Sequence, residues 1–128
     1  MSTLEPSAEQ TREKMPRRPP EVDAYVDTFL SLVCDTSRRY ILELLSVPDK
    51  DNNAVLPERR SGDIARAIGL SAPTTSEHLR QLAQAGLVTS RREGNTVYYQ
   101  LRNHLLLKAF QDLLDALDGD FSLRLQRE

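Results

Sequence analysis

Apolar residues return every three or four positions from Val22 onward. Val22, Tyr25, Val26, Phe29, Leu30 and Val33 form one stripe and predict a helix from Glu21 to about Cys34. Glu21 and Asp23 stand in its first turn, where acids complement the helix dipole. Asp35 or Thr36 is placed to cap a second helix, with Tyr40, Ile41, Leu44 and Leu45 as its core face and its end before Pro48. The period then breaks over the polar run at residues 48–60, within which Val55 and Leu56 are expected to make a short strand. Ser61 is the expected cap of a third helix, with Ile64, Ala65 and Ile68 inward and Gly69 closing it. Ser71 caps a fourth, with Pro73 near its start, Leu79 and Leu82 inward, and Gly86 at its end.

After Gly86 the spacing changes from helical to alternating. Residues 87–92 and 96–101 are β-prone runs separated by Glu93-Gly94-Asn95, which predicts a tight hairpin with Val97, Tyr99 and Leu101 on one face. From Asn103 to about Leu117 a last helix carries Leu105, Leu106, Leu107, Ala109, Phe110, Leu113, Leu114, Ala116 and Leu117. That is more apolar surface than one core-facing stripe needs, and it calls for a second subunit as well as the chain's own core. Residues 1–20, rich in Pro, Ser, Glu and Arg, read as a disordered arm, residues 21–118 as one domain, and residues 119–128 as a C-terminal tail. The predicted class is mainly α with a small β-hairpin, in the order α-α-(β)-α-α-β-β-α. The short turn between Gly69 and Ser71 forces a steep crossing, so the order is that of a winged helix–turn–helix.

Composition narrows this without redirecting it. At 128 residues, 39% hydrophobic and 28% charged, the chain fits one globular domain. No apolar run approaches the roughly 20 residues that span a bilayer, and the N-terminus lacks an apolar signal region, so a cytoplasmic protein without a membrane partner is expected. Net charge is −2, which argues against nucleic acid until its distribution is read. Residues 59–102 carry seven basic side chains against three acidic, while residues 21–58 carry three against eight. Phosphate affinity follows the local potential within a Debye length of roughly 8–10 Å, so the basic segment decides.

That segment also holds the candidate chemistry. The fourth helix offers Thr74, Thr75, Glu77, Arg80, Gln81 and Gln84 on or near its outer face, groups that can contact base edges and phosphates. Its N-terminus adds free backbone N–H groups beside the Ser71 hydroxyl, and Arg91 and Arg92 lie on the wing. Glu77 repels phosphate, so it should either accept from a cytosine amine or pair with Arg80. Arg38 and Arg39 sit in the first turn of the second helix, against its dipole. They face either a phosphate or an acidic neighbour such as Asp35 or Glu43.

From about Val22 to Leu117 the chain resembles the ArsR/SmtB family of bacterial transcriptional regulators. The resemblance is carried by DTSRRYILELL at 35–45, DIARAIGLS at 63–71, TTSEHLRQLAQAGLV at 74–88 and RREGNTVYYQL at 91–101. It implies a homodimer built through the first and last helices, binding a palindromic operator in double-stranded DNA and usually repressing. The family's recognition positions fall on Ser71, Thr74, Ser76, Glu77, His78 and Arg80, with Arg91 and Arg92 on the wing. Many members sense metals through cysteines on the third helix or the end of the second, or through Asp, His and Glu clusters across paired last helices. Here the third helix has no cysteine, and the positions on the last helix hold Asn103, Leu105, Ala116 and Gly119. Zinc needs three or four N, S or O ligands at once, so no metal and no cofactor is expected at these sites.

Cys34 is the single cysteine and the one candidate redox residue, through a disulfide between subunits; its other reading is a small buried apolar residue. No nucleophile–base constellation can be drawn from one Cys and two separated His residues, so the chain does not read as an enzyme. The function expected is a dimeric, sequence-specific DNA-binding repressor without family-type metal sensing, its effector unspecified. The alternative is a winged-helix protein–protein interaction module.

Overall fold

The structure, a computed structural model, describes residues 18–47 and 57–127. Its elements are α1 (Pro20–Val33), α2 (Thr36–Leu45), β1 (Arg59–Arg60), α3 (Ser61–Ile68), α4 (Ala72–Gln84), β2 (Val88–Glu93), β3 (Thr96–Leu101) and α5 (His104–Arg127). The chain forms two compact units, residues 1–31 and 32–128. The described part of the first is the helical run of α1, with Val22, Tyr25 and Leu30 exposed. Most of the arm expected at residues 1–20, and the Val55–Leu56 strand, lie outside the described residues.

In the second unit, local sequence decides where the helices start. Asp35 caps α2 by accepting the Arg38 N–H at 3.0 Å, and that bond holds its carboxyl below the usual carboxylate range. The buried face of α2 is Ile41, Leu42 and Leu45; Tyr40, expected in the core, is exposed and lies beside the Arg39 guanidinium. The stripe runs i, i+1, i+4, one step further round than expected. At α3 the cap is Arg60, which makes no side-chain cap bond, and Ser61 is already helical rather than the cap. Gly69 at φ 76 ends α3, because a left-handed residue there is cheap only for glycine. Ser71 then starts α4, as expected.

The helix–turn–helix and the sheet share one core. Ile41, Leu45, Ile64, Leu79, Leu82 and Leu87 are almost completely buried, and Val88 and Leu101 anchor the base of the hairpin beside them. The hairpin pairs Val88 with Leu101 through to Glu93 with Thr96, so Gly94 and Asn95 alone make the turn, with Gly94 at φ 62. A third strand completes the sheet in the order β1-β3-β2. It is Arg59–Arg60, paired with Tyr99 and Tyr98.

Asn103, at φ 60, caps α5 by accepting the Leu106 N–H on its side-chain oxygen at 3.3 Å. The helix then runs to Arg127, through the segment expected to be a tail. Gly119 is helical, and the Asp120–Arg124 pair at 3.0 Å supports the following turn. Only Leu107 of α5 is buried, while Leu105, Leu113, Leu117, Phe121, Leu123 and Leu125 are exposed. No helix among the described residues is long and apolar enough to cross a membrane.

Thr75 is fully buried on α4 and its hydroxyl has no hydrogen-bond partner among the described residues. An unpaired buried hydroxyl costs about 1–3 kcal/mol, so Thr75→Val should stabilise the protein by roughly 1 kcal/mol and raise the melting temperature. A lower melting temperature would show that the hydroxyl is satisfied.

Candidate nucleic-acid interface

The exposed face of α4 begins at its cap. The Ser71 hydroxyl accepts the Thr74 N–H at 3.3 Å and donates to the Thr74 hydroxyl at 2.9 Å, which orients both side chains at the positive end of the helix. Ser76 is exposed beside them. Thr75 is not: it falls at i, i+4, i+7 with Leu79 and Leu82, so it belongs to the core stripe and leaves the set of candidate contact residues.

One turn further, Glu77 and Arg80 form a two-pronged pair. Arg80 Nε donates to Glu77 Oε2 at 2.9 Å and Nη2 to Oε1 at 2.5 Å, while Gln81 Nε2 also donates to Oε1 at 3.2 Å. These donors, Arg80 first, pull the Glu77 carboxyl from the usual 4.5 to about 2. Of the two roles open to Glu77, the structure takes the pair with Arg80. A carboxyl lowered on folding adds stability that is complete above its ordinary value and is lost as pH falls toward 2. In a carbon-13 titration the Glu77 carboxyl should therefore stay ionised through pH 4; a midpoint near 4.5 would show that the pair does not form in solution.

Behind this pair stands Arg38 of α2. Its Nε donates to the Leu32 carbonyl at 2.7 Å and its Nη1 to Gln81 Oε1 at 2.8 Å, with His78 Nδ1 3.4 Å away. Its bonds go to neutral oxygens rather than to the carboxylates of Asp35 or Glu43, although its charge helps to hold the Asp35 carboxyl ionised. Arg39 does follow expectation, with Glu43 at 3.9 Å. His78, half-buried, faces this arginine rather than open solvent. Sequence reasoning passed over the Arg38–Gln81 link because 43 positions separate the partners.

On the wing, Arg91 is held by Glu58 and Glu93, each at 2.9 Å, and lies 4.7 Å over the Tyr98 ring. Both acids raise its affinity for the proton and neutralise it locally. Arg92 is exposed and has no ion-pair partner among the described residues, so it is the freer cation of the two. Beside the wing tip, an open hollow of about 300 Å³ is edged by Arg60, Asp63, Arg66 and Asn95, with Asp63 bridging both arginines.

Cys34 is exposed at the α1–α2 junction of the single chain. Among the described residues no three His, Cys, Asp or Glu side chains gather where they could hold a metal ion. The donor set at the family's metal positions on α5 is an amide, two apolar side chains and glycine, which does not fit a metal.

An exposed helix with a polar, pre-paired face, following a tight turn and flanked by a basic hairpin, is a nucleic-acid reader's geometry. Comparison with known proteins agrees. Residues 35–90 match the family described as bacterial regulatory protein, arsR family. The arsenical resistance operon repressor of Staphylococcus aureus is 34% identical over 88 residues, covering 69% of this chain and 76% of that protein. The chain belongs to the ArsR family. The transcriptional repressor SdpR of Bacillus subtilis is 33% identical over 92 residues, covering 71% of this chain and 92% of the relative. A solved homodimeric winged helix–turn–helix DNA-binding domain from Mycobacterium bovis superposes with a TM-score of 0.58 at 28% identity, covering 79% of this chain and 91% of that one. Membership accounts for the helix–turn–helix and wing together.

Proposed function

We propose that this ArsR-family regulator is a homodimer that binds a palindromic operator in double-stranded DNA and represses transcription. The observation that carries the reading is the α4 face, where Glu77, Arg80 and Gln81 are fixed in one hydrogen-bonded set on an exposed helix. Ser71, Thr74 and Ser76 at the N-terminus of α4 approach phosphate and base edges, and Arg80 and Gln81 read bases. Arg92 follows the backbone from the wing, with Arg91 beside it when DNA displaces its acidic partners. The pairing surface is drawn from the first and last helices, where Tyr25, Leu30, Leu105, Leu113, Leu117 and Phe121 are exposed in one chain. Two reading heads then meet half-sites about one helical turn apart. Regulation runs through something other than the family's metal sites, because their donor atoms are missing.

Genome-wide mapping of bound DNA tests this reading and returns the operator and its neighbouring genes. In binding assays on such a site, Arg92→Ala should weaken affinity about equally for every sequence and reduce the log–log salt slope by about 1. A monomer in sedimentation, with no salt-dependent DNA binding, would defeat the proposal. A stable complex with another protein in its place would favour the interaction-module alternative.

A further inference from the structure

The unfavourable placement of Arg38 in the first turn of α2 has a structural purpose. Its side chain leaves its own helix and reaches the Leu32 carbonyl, one of the carbonyls that the last turn of α1 leaves without a helical partner. A guanidinium suits that negative end. The same group then meets Gln81 at 2.8 Å. Arginine can only donate, so the amide oxygen of Gln81 must face inward and its NH2 outward. That NH2 donates to Glu77, and Glu77 takes both prongs of Arg80. The donor–acceptor order is thus fixed from the interior outward, from Leu32 through Arg38, Gln81 and Glu77 to Arg80.

From this juxtaposition we propose that Arg38 is a positioning residue for sequence discrimination: anchored at Leu32, it sets which way the Gln81 amide and the Glu77–Arg80 pair face the DNA. The inference rests on the reading of α4 as the DNA-reading helix. Arg38 is half-buried and acts through Gln81 rather than by touching DNA. Sequence preference should therefore depend on it, whereas general phosphate affinity should not.

The test uses full-length protein, a duplex enriched by the wild type from a randomised pool, and an unselected duplex of equal length. Arg38→Met keeps the aliphatic stem and removes both bonds. It should bind the enriched duplex about tenfold more weakly, the lower end of what one good base contact contributes, and the unselected duplex as before. Arg38→Lys keeps the charge but cannot span both acceptors as a rigid fork, so it should behave like Arg38→Met. Gln81→Met cuts the same link from the exposed side, and combining it with Arg38→Met should cost no more than the larger single effect. Without DNA, the Gln81 side-chain amide resonances should shift in Arg38→Met. Full rescue by lysine, equal weakening on both duplexes, or an unmoved Gln81 amide would overturn the proposal. If the wild type enriches no sequence, the DNA-reading function itself fails and takes this role with it. The amide shift in free protein separates that failure from a failure of the Arg38–Gln81 contact.

Discussion

Leu79→Ala should lower stability by about 2–5 kcal/mol, a large fraction of the roughly 5–15 kcal/mol that holds a domain folded. Leu79 is 0% exposed and sits mid-helix on α4, between Thr75 and Leu82 on the same buried stripe. Truncation removes apolar transfer energy and leaves a cavity that the surrounding core cannot fully close. For a domain of this size the melting temperature should fall by roughly 10–20 °C. Leu79→Met, which keeps the volume, should cost less than about 1.5 kcal/mol. DNA binding by the alanine variant should fail in proportion to the unfolded fraction and recover on cooling. A loss below about 1 kcal/mol in chemical denaturation would contradict the position of Leu79 in the core. The same helix carries the core stripe and the exposed polar face, so a cavity on its inner side should act on that face through folding.

Features decided by local chemistry were legible in the sequence. Of the candidates Asp35 and Thr36 the first caps α2, Ser71 caps α4 and Gly69 ends α3 at positive φ, features that depend on residues within one turn, whereas Ser61 falls one position inside α3. Thr75 was legible too, since it keeps the phase of Leu79 and Leu82; its hydroxyl outweighed its spacing in the reading of the outer face. Tyr40 differs, because Tyr40 and Leu42 flank Ile41 and only the packing partners of α2 choose between them. The edge strand at Arg59–Arg60 depends on pairing with Tyr98 and Tyr99, some 40 positions away, which no local propensity encodes. The last helix was expected to end near Leu117, but a glycine such as Gly119 costs only about 1 kcal/mol in a helix, which the turns on either side offset. At the interface, the residue types of the α4 face were evident from sequence. The order in which they hydrogen-bond was not, because it begins with Arg38 on another helix.

Arg80→Ala should weaken binding to the operator by about 1–3 kcal/mol, roughly 5- to 150-fold, while leaving the melting temperature nearly unchanged. Arg80 and Glu77 are each about half exposed, at 54% and 50%, and a solvent-exposed pair contributes little to folding. On DNA the loss has two parts. A donor to base edges disappears, and the Glu77 carboxylate, held ionised with a pKa of about 2 in the intact pair, faces phosphate without its counter-charge. Glu77→Gln reverses the second part. It removes one negative charge from the interface, so affinity for unselected DNA should rise and the salt dependence should steepen. Discrimination between sequences should fall at the same time, because Arg80 loses the partner that orients it. The double variant Glu77→Gln with Arg80→Ala should bind more tightly than Arg80→Ala alone, since the uncompensated carboxylate is gone. Fluorescence anisotropy on operator and unselected duplexes at several salt concentrations separates these effects. If the double variant binds no better than Arg80→Ala, the carboxylate does not face the DNA backbone and the orientation assigned to α4 is wrong.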